Sequence, residues 1–401
     1  MRRCCDVTRS SSPRDSTAAD QPAGAGPLAW SVGAIAVATL IALVILWPGE
    51  TDAELAAGLA APTERAEVTE VAEGPCPPPQ LGTCARASVR IESGADEGAE
   101  ASLALGATAL APGLEAGDAI RVSRSAPAPG VKAGFTFVDF ERRAPMLWLA
   151  LAFAALVIAF GRLRGALSLV GLAGSLAVVA LFIIPAILDG SPPLVVAIVG
   201  SLAVMLLTIS LAHGLGPKSL AAMLGTTVSL VLVALLALAF TEVTHLTGLA
   251  AEESALLQIN EVDVSFEGLL LAGMVIAALG VLDDVTVSQA STVLALRRAN
   301  PRLGFGDLYR RAIEVGRDHV SATVNTLVLA YVGASLPVLL LFGSGELGFV
   351  DAVNVELVAQ EVVATLVGSI GLIAAVPITT ALAARLVPAS DEPGEEHGHH
   401  H

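Results

Sequence analysis

Asp283 and Asp284 stand side by side at the end of a run that is otherwise apolar from Gly268 to Leu282. A spanning helix needs about 20 residues, so it must carry both acids onward through Val285 to Ala290. At a rise of about 1.5 Å per residue the pair lies about 22 Å below the outer boundary of a hydrocarbon layer about 30 Å thick. Ionisable groups at such depth cost at least about 2.5 kcal/mol each, and they face a bundle interior or a watery path. The chemistry they offer is the exchange of a proton or the coordination of a small ion. Successive helical residues are turned by about 100°, so the two acids point in different directions. Asp284, Ser288 and Ser291 form one stripe running toward the cytoplasm, Asp283 looks sideways toward a neighbouring helix, and Gln289 adds an amide to the same segment. The competing reading makes the acid pair a solvated helix end, with Val285 to Leu296 lying at the interface.

A second constellation follows in the next apolar segment. Asp318, Ser321 and Asn325 share one helical side, and His319, Thr323 and Thr326 share another. Asn325 lies well inside the run that ends at Phe342. A buried amide needs hydrogen-bond partners, which in lipid come from another helix, a substrate or water. His319 is the group able to exchange protons near neutral pH, although a lone His at a membrane boundary is more often structural. Asp284 and Asn325 are expected on facing sides of one polar route between these two helices.

The elements that must hold these residues are membrane helices. The chain has 401 residues, 54% hydrophobic and only 4% aromatic, with mean hydropathy +0.73, which excludes an ordinary soluble domain. The apolar windows predict about eight spans: Pro27 to Trp47, Ala144 to Phe160, Ala166 to Ile187, Leu194 to Ala212, Leu220 to Phe240, Gly268 to Leu296, Val320 to Phe342 and Val362 to Arg385. The loops at 188–193, 241–267 and 343–361 lack Lys and Arg, whereas those at 161–165, 213–219 and 297–319 carry them. By the positive-inside rule the second set is cytoplasmic, which places both termini inside; Arg142 and Arg143 dissent. The first span is too long for a signal-peptide core and reads as an uncleaved anchor. The net charge of −16, with no basic stripe, argues against nucleic acid as a partner.

Residues 1–26 read as a disordered cytoplasmic tail with reduced Cys4 and Cys5, residues 27–47 as the first membrane helix, and residues 387–401 as a second cytoplasmic tail. Residues 49–143 read as a small β-rich extracytoplasmic domain, from alternation at Ala85 to Ile91 and Ile120 to Ser123, continued by Phe135 and Phe137. Residues 144–386 form the seven-helix membrane domain. Cys76 and Cys84 bracket a Pro-rich loop in this external segment, where oxidising conditions favour a disulfide; with no His nearby, a metal site is not expected. Gly-Ser-Leu-Ala-Val occurs at 174–178 and at 200–204, and its small residues are expected to favour close helix packing more than to record a duplication. The His-rich end, Glu395 to His401, is read apart from any mechanism.

The stretch Gly280 to Ala290, followed by Arg317 to Pro337, resembles the signature region of the YibE/YibF-like membrane protein family. Supporting stretches run from His213 to Gly225 and from Gly368 to Thr379, so the resemblance extends from about Val68 to Arg385. It implies a multispan bacterial cytoplasmic-membrane protein with an external segment after the first helix, and it names no substrate. The fold expectation is an all-α polytopic bundle of about eight transmembrane helices carrying a small β-rich domain. The leading functional expectation is a permease or an ion- or proton-coupled transporter for an unnamed small solute, embedded in the lipid bilayer, with no cofactor and room for a homo-oligomer. Alternatives are a scaffold or sensor acting through the external domain, and an intramembrane metal-dependent hydrolase. Enzymatic activity is the weaker reading, because no nucleotide-binding loop, HExxH or GxSxG occurs.

Overall fold

The computed structural model describes residues 25–49, 63–76, 82–124, 134–250, 254, 257–258, 264–343 and 348–386. Most of the amino-terminal tail, Cys4, Cys5 and the carboxy-terminal tail with its His-rich end lie outside them. The chain divides into two compact units, one holding residues 50–169 and the other holding residues up to 49 and from 170 onward.

In the first unit, β1 (Thr63–Pro75), β2 (Thr83–Ile91), β3 (Glu100–Ala107), β4 (Ala119–Arg124) and β5 (Phe135–Phe140) form one antiparallel sheet in the order β3-β2-β1-β4-β5. Alternation puts Ala87, Val89 and Ile91 of β2 inside with Val68, Leu103, Ile120 and Val122. A bulge between Val68 and Glu70 bends β1, and the edge strands β3 and β5 approach each other, so the sheet curls into a half-barrel. Arg121 binds the end of β1, donating to the Thr63 carbonyl at 2.7 Å, and pairs with Glu141 at 3.5 Å. At the end of β5 the Arg142 guanidinium donates to Asp139 at 2.6 Å and, with the Phe140 N–H, holds that carboxyl below the usual range. This contribution is present above the ordinary carboxylate pKa and fades as pH falls through the lowered one; it is exposed and screened by salt.

The helices are α1 (Ala25–Ile45), α2 (Arg143–Val178), α3 (Ile184–Leu188), α4 (Pro193–His213), α5 (Pro217–Val243), α6 (Phe266–Ala299), α7 (Phe305–Ala334), α8 (Leu336–Gly343), α9 (Phe349–Asn354) and α10 (Glu356–Leu386). A π-helical turn, Val179–Ile183, joins α2 to α3 one turn before Pro185, whose missing N–H a regular α-turn would need. Six helical stretches among the described residues are long and apolar enough to cross a membrane, rather than the eight expected. The difference has two sources. The second and third expected spans form one stretch, Arg143–Leu188, interrupted where Arg162 takes φ 53° and ψ −131°. The seventh expected span and its basic approach form one amphipathic helix, α7, whose first half is charged, and the apolar run beyond Ala334 belongs to the separate α8.

At the centre of the helical unit, α10 packs on α5, α6 and α7, and α6 packs on α4 and α5. Small residues permit this approach. A Cβ on Gly225 of α5 would lie 2.1 Å from Thr379 Oγ1, one on Gly371 of α10 would lie 2.2 Å from a Val233 methyl, and one on Gly316 of α7 would lie 2.6 Å from a Val376 methyl.

Cys76 and Cys84 are bonded, with Cα atoms 4.9 Å apart, closing the turn from β1 to β2. Peptide mapping of the unreduced full-length protein is expected to recover both cysteines in one linked fragment. Replacing both by Ser is expected to lower stability by about 2 kcal/mol through lost loop closure. Two freely alkylated thiols would rule the bond out.

Candidate functional site

α6 starts at a Ser265 cap, whose side chain accepts from the Gly268 N–H, and runs unbroken past both acids to Ala299. Beyond the acids Val285, Thr286, Gln289, Ala290 and Val293 are buried, so this half of the helix is packed in protein. The buried side repeats at three and four residues, which carries Asp283, Thr286 and Gln289 along one edge of the core.

Each of these three polar groups reaches a different helix. Thr208 of α4 donates to Asp283 Oδ2 at 3.1 Å. Thr286, fully buried, meets the hydroxyl of the equally buried Thr226 of α5 at 2.6 Å and contacts the Asp283 carbonyl at 3.1 Å. Gln289 donates through Nε2 to Thr380 Oγ1 of α10 at 2.7 Å and to the Ala312 carbonyl of α7 at 2.9 Å. The result is a polar seam along α6 where it packs against α4, α5, α7 and α10. It carries unused capacity: Asp283 Oδ1, Ser229 Oγ of α5, and Ser369 Oγ and Thr379 Oγ1 of α10 are buried without a hydrogen-bond partner among the described residues. Pro377, one turn from Thr380, withholds one backbone N–H from α10.

The expected stripe of Asp284, Ser288 and Ser291 has a different character. Asp284 is exposed, with His213 at the end of α4 close enough to act on it electrostatically. Ser288 and Ser291 are half-buried and donate to their own helix, to the Val285 carbonyl at 3.0 Å and the Val287 carbonyl at 2.6 Å. On α7 the residues packed against α6 and α10 are Ile313, Gly316, Val320 and Val324. Asp318, His319, Ser321 and Asn325 are exposed, and among the described residues none of their side chains bonds to α6. Asp283 and Gln289 are thus brought together with hydroxyls of α4, α5 and α10, while among the described residues no hydrogen bond joins Asp284 to Asn325. The basic connection serves locally: Arg310 pairs with Asp307, and buried Arg297 donates to the carbonyls of Leu303 and Pro301. Among the described residues no three His, Cys, Asp or Glu side chains converge as metal ligands.

The partners that the sequence did not reveal are Thr208, Thr226, Thr286 and Thr380. Single hydroxyls in apolar helices usually bond to their own backbone, and the Thr208 hydroxyl, with one proton to donate, has the Val204 carbonyl at 2.9 Å as the alternative to Asp283, so their types carry no signal of an interhelical role.

The model of the YibE/F-like protein family matches residues 149–389, more than half of the chain. The chain belongs to the YibE/F-like family. All five helices of the seam, α4, α5, α6, α7 and α10, lie within the match, whereas the β-rich segment precedes it, so the resemblance is narrower than the expected start near Val68. Neither the curated proteins nor the solved structures yield a match.

Replacing Gly225 by Ala is expected to force α5 and α10 apart and lower the detergent melting stability by about 1–3 kcal/mol. Adding Thr379→Ala should recover much of that loss, because it removes the atom the new methyl meets. Additive losses in the double variant would mean that this contact is not the one setting the helix spacing.

Proposed function

We propose that this YibE/F-like protein is a multispan permease of the bacterial cytoplasmic membrane, moving a small ion, or a solute coupled to a proton, past Asp283. The observation that carries the reading is a carboxylate in the middle of a long apolar helix with one oxygen on Thr208 and the other buried without a partner among the described residues. A group so placed would gain most from a bound proton or cation, since either satisfies the idle oxygen. The buried hydroxyls of Thr226 and Thr286 extend the polar path from α6 to α5. Asp284 with His213 would form one approach to it.

The topology we propose has eight spans, both termini cytoplasmic and residues 49–143 external. Arg143–Leu188, at 46 residues, is more than twice the length one crossing needs. A Cβ on Gly165 would lie 2.3 Å from the Val157 carbonyl oxygen, although eight residues of straight helix rise about 12 Å, which supports a reversal beside Arg162. The seventh span would combine the second half of α7 with α8. A cysteine placed at position 310 is expected to resist an impermeant thiol reagent added outside intact cells, and external labelling there would invert the arrangement.

Purified protein reconstituted into vesicles and screened for ion and solute flux tests the transport reading. Asp283→Asn keeps the side chain's size and is expected to preserve expression while lowering pH-dependent flux at least tenfold. Asp284→Asn should shift the pH profile less. Wild-type flux in the double variant would end the proposal, and activity that depends only on residues 49–143 would favour a sensor acting through the external domain.

A further inference from the structure

The second half of α7 turns Val320 and Val324 toward the bundle and leaves Asp318, Ser321, Ala322, Asn325, Leu329 and Val332 exposed on its other side. An exposed leucine or valine on a spanning helix is at ease in lipid and marks nothing by itself. A polar group there needs a partner. The hydroxyls of this half find theirs on their own helix: Ser321 donates to the Arg317 carbonyl at 3.1 Å, Thr323 to the His319 carbonyl at 2.8 Å and Thr326 to the Ala322 carbonyl at 3.0 Å. The Asn325 amide does not, and among the described residues its side chain makes no hydrogen bond. It stands about 8 Å along the helix from Val320, where the apolar run begins.

We infer that this side of α7 is the contact between two copies of the chain, with the two Asn325 amides bonded to each other across a two-fold axis along the membrane normal. A carboxamide both donates and accepts, so two of them satisfy one another with no third group, and a two-fold contact brings each residue near its own counterpart. Helical spacing sets Ser321, Asn325, Leu329 and Val332 within about 40° of one direction, a single stripe that a parallel helix can follow. Ser321 and Ala322 are small enough to let backbones approach, and Leu329 and Val332 supply the apolar packing beyond the amide. At the cytoplasmic end Arg317 and Asp318 are adjacent and exposed, opposite charges that two copies can pair crosswise. The inference rests on the seventh span proposed above and not on the passage of an ion past Asp283.

Light scattering of the full-length protein in mild detergent is expected to give the mass of a dimer. Asn325→Leu, which suits lipid better than the amide and leaves the packed side of α7 untouched, should weaken the dimer by about tenfold or more, and Asn325→Gln, which keeps an amide, should retain most of it. In membranes, Leu329→Cys in a chain with Cys4 and Cys5 replaced by Ser should form a disulfide-linked species of twice the chain mass on oxidation, whereas Ile373→Cys, exposed on α10, should not. A monomeric wild type, an Asn325→Leu variant as dimeric as wild type, cross-linking of Leu329→Cys to a protein of another mass, or equal dimer cross-linking from position 373 would each overturn the assignment. The mass reports association, labelling at position 310 reports topology and flux reports transport, so each reading can fail without the others.

Discussion

A helix that takes a carboxylate, an amide and several hydroxyls into a bilayer must find their hydrogen-bond partners on other helices, and it can do so only where backbones approach closely. In this protein the approach is set by glycines at α5–α10 and α7–α10 and by the Thr pair at α5–α6. Gly225 accepts Thr379 where a methyl would collide, and Gly316 makes room for Val376 and for the amide of Gln289. The hydroxyls of Thr226 and Thr286 meet at 2.6 Å, so widening that crossing by the thickness of a methyl group would break their bond. Packing and polarity are therefore not separate features of this bundle. The apolar core, from Met205 and Val275 to Leu282 and Leu308, holds the spacing at which the polar contacts exist.

The same close packing leaves some groups with spare capacity. Ser229, Ser369 and Thr379 are buried at helix surfaces that face one another, and none has found a partner among the described residues. A hydroxyl can rotate between an acceptor on its own helix and one across the interface with little motion of the backbone. Pro377 adds to this within α10, because the missing N–H leaves a carbonyl one turn earlier without its usual donor.

Much of this architecture could be read from residue types. The apolar runs gave α1, α4, α5, α6 and α10 to within a few residues, and alternation gave β2 and β4. β1 escaped because acids at Glu64, Glu67, Glu70 and Glu73 and the bulge near Val68 break its period, although Ala66 and Val68 are deep in the sheet. The span count diverged where a turn is short enough to keep helical neighbours on both sides, at Arg162, and where charge and apolarity share one helix, in α7. At the site, Asp283 stood out because a charge in an apolar run is conspicuous. Its partner Thr208 lies 75 residues earlier and has no distinguishing neighbour. Polar spacing on α7 was equally conspicuous, but a helical stripe identifies a face without saying what that face meets, and the face meeting α6 is the one with Ile313, Val320 and Val324.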